Sequence, residues 1–214
     1  MNKNTLNLHL EILDKERRGV LQTLLFFVKD FVLGGGTALA LQLNHRKSFD
    51  FDFFSQASIA KNLLESLSNK IKIGNIAIDT SSELTLFTEN GIKLTFLYYP
   101  FKPYHLVQKL DSGLNIFPVN EIALQKAYTI GRRGEYRDYF DLYTILKNQY
   151  ITLTELISKT KEVYGSVFDE KMFLEQLVYF GDISNFDITP VSNKILPLPK
   201  EVETFFEDLV SKFI

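Results

Sequence analysis

Asp50 and Asp52 alternate with Phe49, Phe51 and Phe53. Successive side chains of an extended strand point to opposite faces. The alternation predicts a strand over 49–54, with the phenylalanines on a buried face and both carboxylates on the other. Two carboxylates on one face repel each other. A divalent cation such as Mg²⁺ or Mn²⁺, held by the carboxylates together with substrate phosphates, removes that conflict. Just upstream, Gly34-Gly35-Gly36-Thr37 opens the apolar run Ala38-Leu39-Ala40-Leu41. Such a turn into a helix can offer backbone N–H groups to a phosphate. His45-Arg46-Lys47-Ser48 stands between the two. A phosphate cradle beside paired metal carboxylates is the equipment of metal-assisted phosphoryl or nucleotidyl transfer.

A second constellation runs from Lys126 to Asp141 and holds Arg132, Arg133, Arg137 and Asp138. Lys126 and Arg133 share a face if one helix carries both, although Gly131 and Gly134 should end it. Asp138 and Asp141 share a face of the next helix, as do Arg137 and Asp141. A basic cluster of this density can hold a triphosphate or a nucleic-acid backbone.

The elements that must position these residues follow from periodicity. Helices are expected over 5–13 and 15–29, the second burying Leu21, Leu24, Leu25 and Val28. A short strand at Phe31-Val32-Leu33 enters the glycine turn. A helix over 37–43 stops at Asn44. Ser58 caps a helix through about Asn69. Residues 75–98 predict a β-meander, with Ile76 and Ile78, Leu84 and Leu86, then Ile92, Leu94 and Phe96 alternating, and with Glu89-Asn90-Gly91 as a hairpin turn. Residues 99–118 are loop-rich. Helices are expected over 120–132, 135–147, 152–164, 169–180 and 199–212. The fold class is α+β: a lobe with a small mixed sheet flanked by helices over 1–110, then a helical lobe over 111–214.

Composition bounds the rest. The chain has 214 residues, 45% apolar and 23% charged, which is ordinary for a globular protein. Nineteen phenylalanines and no tryptophan predict an aromatic core with few polar needs. A formal charge of −2 supplies no global field for nucleic acid or membrane, so any such contact must be local. With no cysteine, disulfides and thiolate metal sites are excluded. The apolar stretch 21–28 is shorter than the ~20 residues a bilayer span needs. No targeting signal is recognisable at the N-terminus. A cytoplasmic protein without a membrane partner is the expectation.

Taken together, Gly35-Gly36-Thr37-Ala38-Leu39, His45-Arg46, Ser48 ahead of Asp50-Phe51-Asp52, and the later Lys126, Arg133, Asp138 and Asp141 resemble the AbiEii/AbiGii-like nucleotidyltransferase family of the polymerase-β-type superfamily. The resemblance spans roughly residues 5–150. It implies an N-terminal nucleotidyltransferase lobe and a helical C-terminal lobe. Gly35, Gly36 and Thr37 would form the nucleotide-phosphate turn, with Arg46, Ser48 and Arg133 as further nucleotide-binding residues. Asp50 and Asp52 would be the metal ligands, and Lys126, Asp138 and Asp141 the later catalytic group. Arg137 stands where the family commonly has lysine, which keeps the charge but changes the hydrogen-bond geometry. The implied reaction moves a nucleoside monophosphate from a nucleoside triphosphate to an RNA, transfer RNA among them, or to a protein. A toxin role beside a cognate antitoxin, or in phage defence, comes with it.

The superfamily usually supplies a third metal carboxylate from a later strand. Here the strand Ile92–Leu97 offers Lys93, Thr95 and Leu97 on its cleft side, none of them acidic. Either Asp79, Glu83 or Asp138 substitutes, or a metal is bound weakly, or the fold serves as a nucleotide- or RNA-binding module without turnover. Plainer roles stand beside these. Asp50 and Asp52 would suit a solvated edge strand, and Arg46 an ion pair with one of them. Ser48 would brace a turn and His45 would be a turn or surface residue. Lys126 and Asp141 would form a salt bridge docking the two lobes. Arg132 and Arg133 would be a solvated helix end.

Overall fold

The computed structural model describes residues 7–192 and 194–213. The chain divides into two compact units: Met1–Lys102 with Leu106–Pro118, and Pro103–His105 with Val119–Ile214. Apart from Pro103–His105, the first unit runs to Pro118 and the second begins at Val119. Residues 115–116 form a strand of the first unit's sheet, parallel to the strand that carries Leu33.

The first unit is built on a seven-stranded mixed sheet. Its strands are β1 (Val32–Gly34), β2 (Phe51–Ser55), β3 (Ile73–Asp79), β4 (Glu83–Thr88), β5 (Lys93–Tyr98), β6 (Gln108–Lys109) and β7 (Asn115–Ile116), in spatial order β3-β4-β5-β2-β1-β7-β6. β1 runs antiparallel to β2, while β2 runs parallel to β5. Among the described residues of this unit the α-helices are α1 (Lys15–Leu24), α2 (Gly35–Leu43) and α3 (Leu63–Ser68). The core is aromatic, as the composition predicts. Phe51, Phe53 and Phe96 are fully buried, and the Phe53 and Phe96 rings stack at 5.3 Å between centroids. Burying each such ring stabilises the fold by roughly 1.5–3 kcal/mol.

Several expectations shift. Only a 3₁₀ turn, Leu10–Ile12, forms in the first expected helix, whose residues 5 and 6 lie outside the described residues. α1 ends at Leu24, yet Val28 stays buried, so the apolar stripe outlasts the helix. The helix foreseen from Ser58 begins only at Leu63, with Asn62 rather than Ser58 at its N-cap. β2 starts at Phe51. Phe49 therefore escapes the core and lies 38% exposed, with the Arg17 guanidinium 4.9 Å above its ring. β3 is an outer strand, and the alternating Ile76 and Ile78 on it are 44% and 38% exposed. β6 and β7 are two-residue strands inside the stretch read as loop.

The second unit is helical: α4 (Val119–Thr129), α5 (Tyr136–Lys147), α6 (Leu153–Tyr164), α7 (Glu170–Leu177) and α8 (Pro199–Ser211). α4 packs on α5 and α6, and α8 on α5 and α7. Tyr139, Phe173 and Phe206 fill the interior. α6 starts at a reciprocal cap. The Thr152 hydroxyl accepts the Glu155 N–H at 3.2 Å, and the Glu155 carboxylate accepts the Thr152 N–H at 3.2 Å.

Candidate active site

In the sheet unit, the residues singled out around Asp52 come together. The chain turns from β1 directly into α2, and Gly35 takes the left-handed φ of +64° that this reversal needs. Each glycine of the turn is also a point of close approach by a different side chain. A Cβ on Gly34 would lie 2.5 Å from the Phe54 ring. One on Gly35 would lie 2.5 Å from Asp52 Oδ2, and one on Gly36 2.5 Å from an Arg46 guanidinium nitrogen. The three glycines thus let an aromatic ring, a carboxylate and a guanidinium settle onto bare backbone at the start of α2. The first N–H groups of a helix have no intrahelical acceptor. Here they lie beside a carboxylate and a buried cation.

The remaining polar residues of this stretch fix the approach to β2. Thr37 is buried; its hydroxyl donates to the Asp50 carbonyl and shares a hydrogen bond with the Ser48 hydroxyl, 2.9 Å between oxygens. Arg46 is buried and donates to the Lys47 carbonyl at 2.9 Å. Ser48 therefore braces the turn, as the plainer reading has it. His45 lies in the connection between α2 and β2, as a turn residue would, but is buried at 8% exposure. Asn44 ends α2 in the left-handed conformation, φ 50°. Asp50 precedes β2 and Asp52 lies within it, both half-buried. Asp52 pairs with Gly34 on one side and with Thr95 on the other.

The donor chemistry here suits a hard divalent cation. Two carboxylate residues at i and i+2 match the mode in which Mg²⁺ takes one or two carboxylates and completes its shell with water and substrate phosphate. Among the described residues no group of three or more His, Cys, Asp or Glu side chains gathers to hold a metal. Asp79 and Glu83 therefore do not complete a three-carboxylate set, and Glu83 instead accepts the Thr85 hydroxyl at 2.7 Å.

In the helical unit a second charged cluster is built between α4 and α5. Lys126 Nζ lies 2.6 Å from Asp138 Oδ1 and 2.7 Å from Asp141 Oδ2, all three residues buried. Arg133 adds a two-point contact with Asp138, Nε to Oδ2 at 2.7 Å and a second nitrogen to Oδ1 at 3.0 Å. Burial alone would raise the Asp138 carboxyl, but Lys126 and Arg133 outweigh it and hold the group below the ordinary carboxylate value. α4 ends at Thr129, so Arg133 reaches Asp138 from the connecting turn and not along a shared helix face with Lys126. The Lys126–Asp141 pair ties α4 to α5 within one unit, which corrects its reading as a bridge between lobes. Arg137 pairs with Glu135 at 3.1 Å and not with Asp141. Arg132 lies over the Tyr128 ring, 4.0 Å from its centroid.

One buried acid escaped sequence reasoning. Glu121, in the first turn of α4, is completely buried and accepts the His105 N–H at 2.9 Å. Burial pushes its carboxyl up, against the opposing pull of His105. Nothing in the spacing around Glu121 marks it, because its partner lies in the irregular segment 103–105. A groove of about 650 Å³ in the helical unit, bordered by Lys161, Phe168, Leu174 and Val210, contains none of the residues singled out.

Comparison with known proteins identifies the family and the fold. A family model described as nucleotidyl transferase AbiEii toxin, type IV toxin–antitoxin system, matches residues 20–209. An uncharacterized protein of Aquifex aeolicus (strain VF5) is 32% identical over 209 residues, covering 94% of this chain and 98% of that protein. The solved structure of a candidate nucleotidyltransferase from H. pylori aligns over 99% of this chain and 97% of its own, with a TM-score of 0.55 at 22% identity, a likeness of fold.

Proposed function

The chain belongs to the AbiEii nucleotidyl transferase toxin family, and from that premise we propose that it transfers a nucleoside monophosphate from a nucleoside triphosphate to an RNA, transfer RNA included, or to a protein. The observation that carries this reading is the seating of Asp52 against Gly35 and of Arg46 against Gly36 at the start of α2. A carboxylate, a buried cation and helix N–H groups lie side by side there, which is the charge pattern a metal-bound triphosphate requires.

In this reading Asp50 and Asp52 hold Mg²⁺ or Mn²⁺, which when bound would neutralise phosphate charge and polarise the phosphorus under attack. Gly35 and Gly36 offer backbone N–H groups to the phosphates. Arg46 supplies positive charge from beneath the turn. Thr37 and Ser48 keep the Asp50 backbone in place by their mutual hydrogen bond. An acceptor hydroxyl attacks the α-phosphorus. The new P–O bond forms as the bond to the β-phosphate oxygen breaks, pyrophosphate departs, and the acceptor's proton passes to solvent water. In the helical unit we assign Lys126, Asp138 and Asp141 to the same reaction as a fixed charge cluster. Arg133, with more than half of its side chain exposed, is assigned to phosphate of the nucleotide or of an RNA acceptor.

The family description supports a toxin role and a cognate antitoxin, and phage defence is the setting we infer. No helix among the described residues is long and apolar enough to cross a membrane. We place the activity in the cytoplasm, where triphosphates and RNA are found. A second reading, a nucleotide- or RNA-binding module without turnover, is favoured by the lack of a third acid around Asp50 and Asp52 among the described residues. Transfer of label from α-³²P nucleoside triphosphates to RNA or protein separates the two. Labelled product abolished by Asp50→Ala with Asp52→Ala supports transfer. Mg²⁺-dependent nucleotide binding without product supports the module.

A further inference from the structure

The Thr95 side chain, in register with Asp52, carries a buried hydroxyl with no hydrogen-bond partner among the described residues. Thr95 lies on β5, is 5% exposed, and faces the same side of the sheet as Asp52 across the parallel β2–β5 ladder. The other buried threonine and serine hydroxyls among the described residues are all engaged. Thr37 donates to the Asp50 carbonyl, Thr85 to Glu83 and Thr160 to the Leu156 carbonyl, while Ser55 and Thr88 accept the N–H groups of Ala57 and Ile92. A buried hydroxyl left unpaired destabilises the fold. Valine fits the same strand position with the same shape and no such penalty.

We propose that the Thr95 hydroxyl is a phosphate-binding group of the Asp50/Asp52 face, donating to a triphosphate oxygen that enters beside Asp52. The inference rests on the nucleotidyltransferase reading and adds a residue to it. Neutral donors approach phosphate oxygens readily, whereas a third carboxylate here would repel them and be tolerated only with the metal fully in place. With two acids and one hydroxyl, the face binds the cation and the triphosphate together in preference to the cation alone.

The test is calorimetric titration of wild type, Thr95→Val and Thr95→Ser with each of the four nucleoside triphosphates in Mg²⁺, beside thermal melts of the free proteins. Thr95→Val should bind the preferred nucleotide about tenfold more weakly, the loss of one hydrogen bond. It should melt at or above the wild-type temperature, because the hydroxyl is unpaired in the free protein. Thr95→Ser should restore most of the affinity. Wild-type affinity in Thr95→Val overturns the inference, whatever its melting temperature. A lowered melting temperature with affinity unchanged assigns Thr95 to the fold alone. Wild type that binds no nucleotide in Mg²⁺ overturns the nucleotidyltransferase reading itself, and the inference with it.

Discussion

The glycine turn shows how much one atom decides. Adding a Cβ at Gly35 forces a left-handed φ on alanine and drives a methyl group into the Asp52 carboxylate. Gly35→Ala should destabilise the protein by ~1–3 kcal/mol, a drop of several degrees in thermal melting, and should lose Mg²⁺-dependent nucleotide binding as Asp52 is displaced. The charged cluster of α4 and α5 behaves differently. Lys126→Met leaves Asp138 and Asp141 buried without their shared cation, and should cost about 3–5 kcal/mol in denaturant titration. Acid dependence follows from Asp138. Its folded value lies below the ordinary 3.8, so folding favours the charged form. The stability it contributes is complete above the ordinary value and disappears as pH falls through the lower folded value. The gap in stability between wild type and Asp138→Asn should therefore be wide at pH 7 and close below about 3.8. A gap constant across that range would show that the carboxylate is not held charged by Lys126 and Arg133.

At the level of elements, legibility tracks periodicity. α4, α5, α6, α7 and α8 lie within a few residues of their predicted spans; α5 to α8 carry an apolar stripe at helical spacing, whereas α4 is buried on most of its faces. β3 was legible as a strand, but its exposure was not. Its alternating isoleucines belong to an outer strand, and edge position is a property of the sheet that no local pattern records. β6 and β7 have two residues each and therefore no period to read. Caps are readable where a side chain makes them. Thr152 with Glu155 brackets the start of α6, and Thr152→Ala should lower stability by ~1 kcal/mol in chemical denaturation. Exposure sets the contrast on the sheet. Ile76→Lys should change stability by less than about 0.5 kcal/mol, whereas Phe53→Ala should cost about 3–5 kcal/mol. A large loss in Ile76→Lys would mean that this outer strand is covered in solution.

Across the whole molecule, the order of chemistry along the chain was legible and its three-dimensional company was not. Gly34-Gly35-Gly36 followed by Asp50-Phe51-Asp52 announced a turn and paired acids. That Asp52 would rest on Gly35 and stand opposite Thr95 required the pairing of β2 with both β1 and β5. Glu121 stayed hidden because its contact with His105 joins a helix to an irregular segment. The family match over residues 20–209 spans both constellations, one in the sheet unit and one in the helical unit. The reaction itself is decided by purified protein incubated with each α-³²P nucleoside triphosphate, Mg²⁺ and total bacterial RNA, alongside the Asp50→Ala, Asp52→Ala double variant. Label on an RNA or protein band with wild type, absent from a double variant that melts at nearly the wild-type temperature, is the predicted result. Equal labelling by both proteins would contradict the assignment of Asp50 and Asp52 to the reaction.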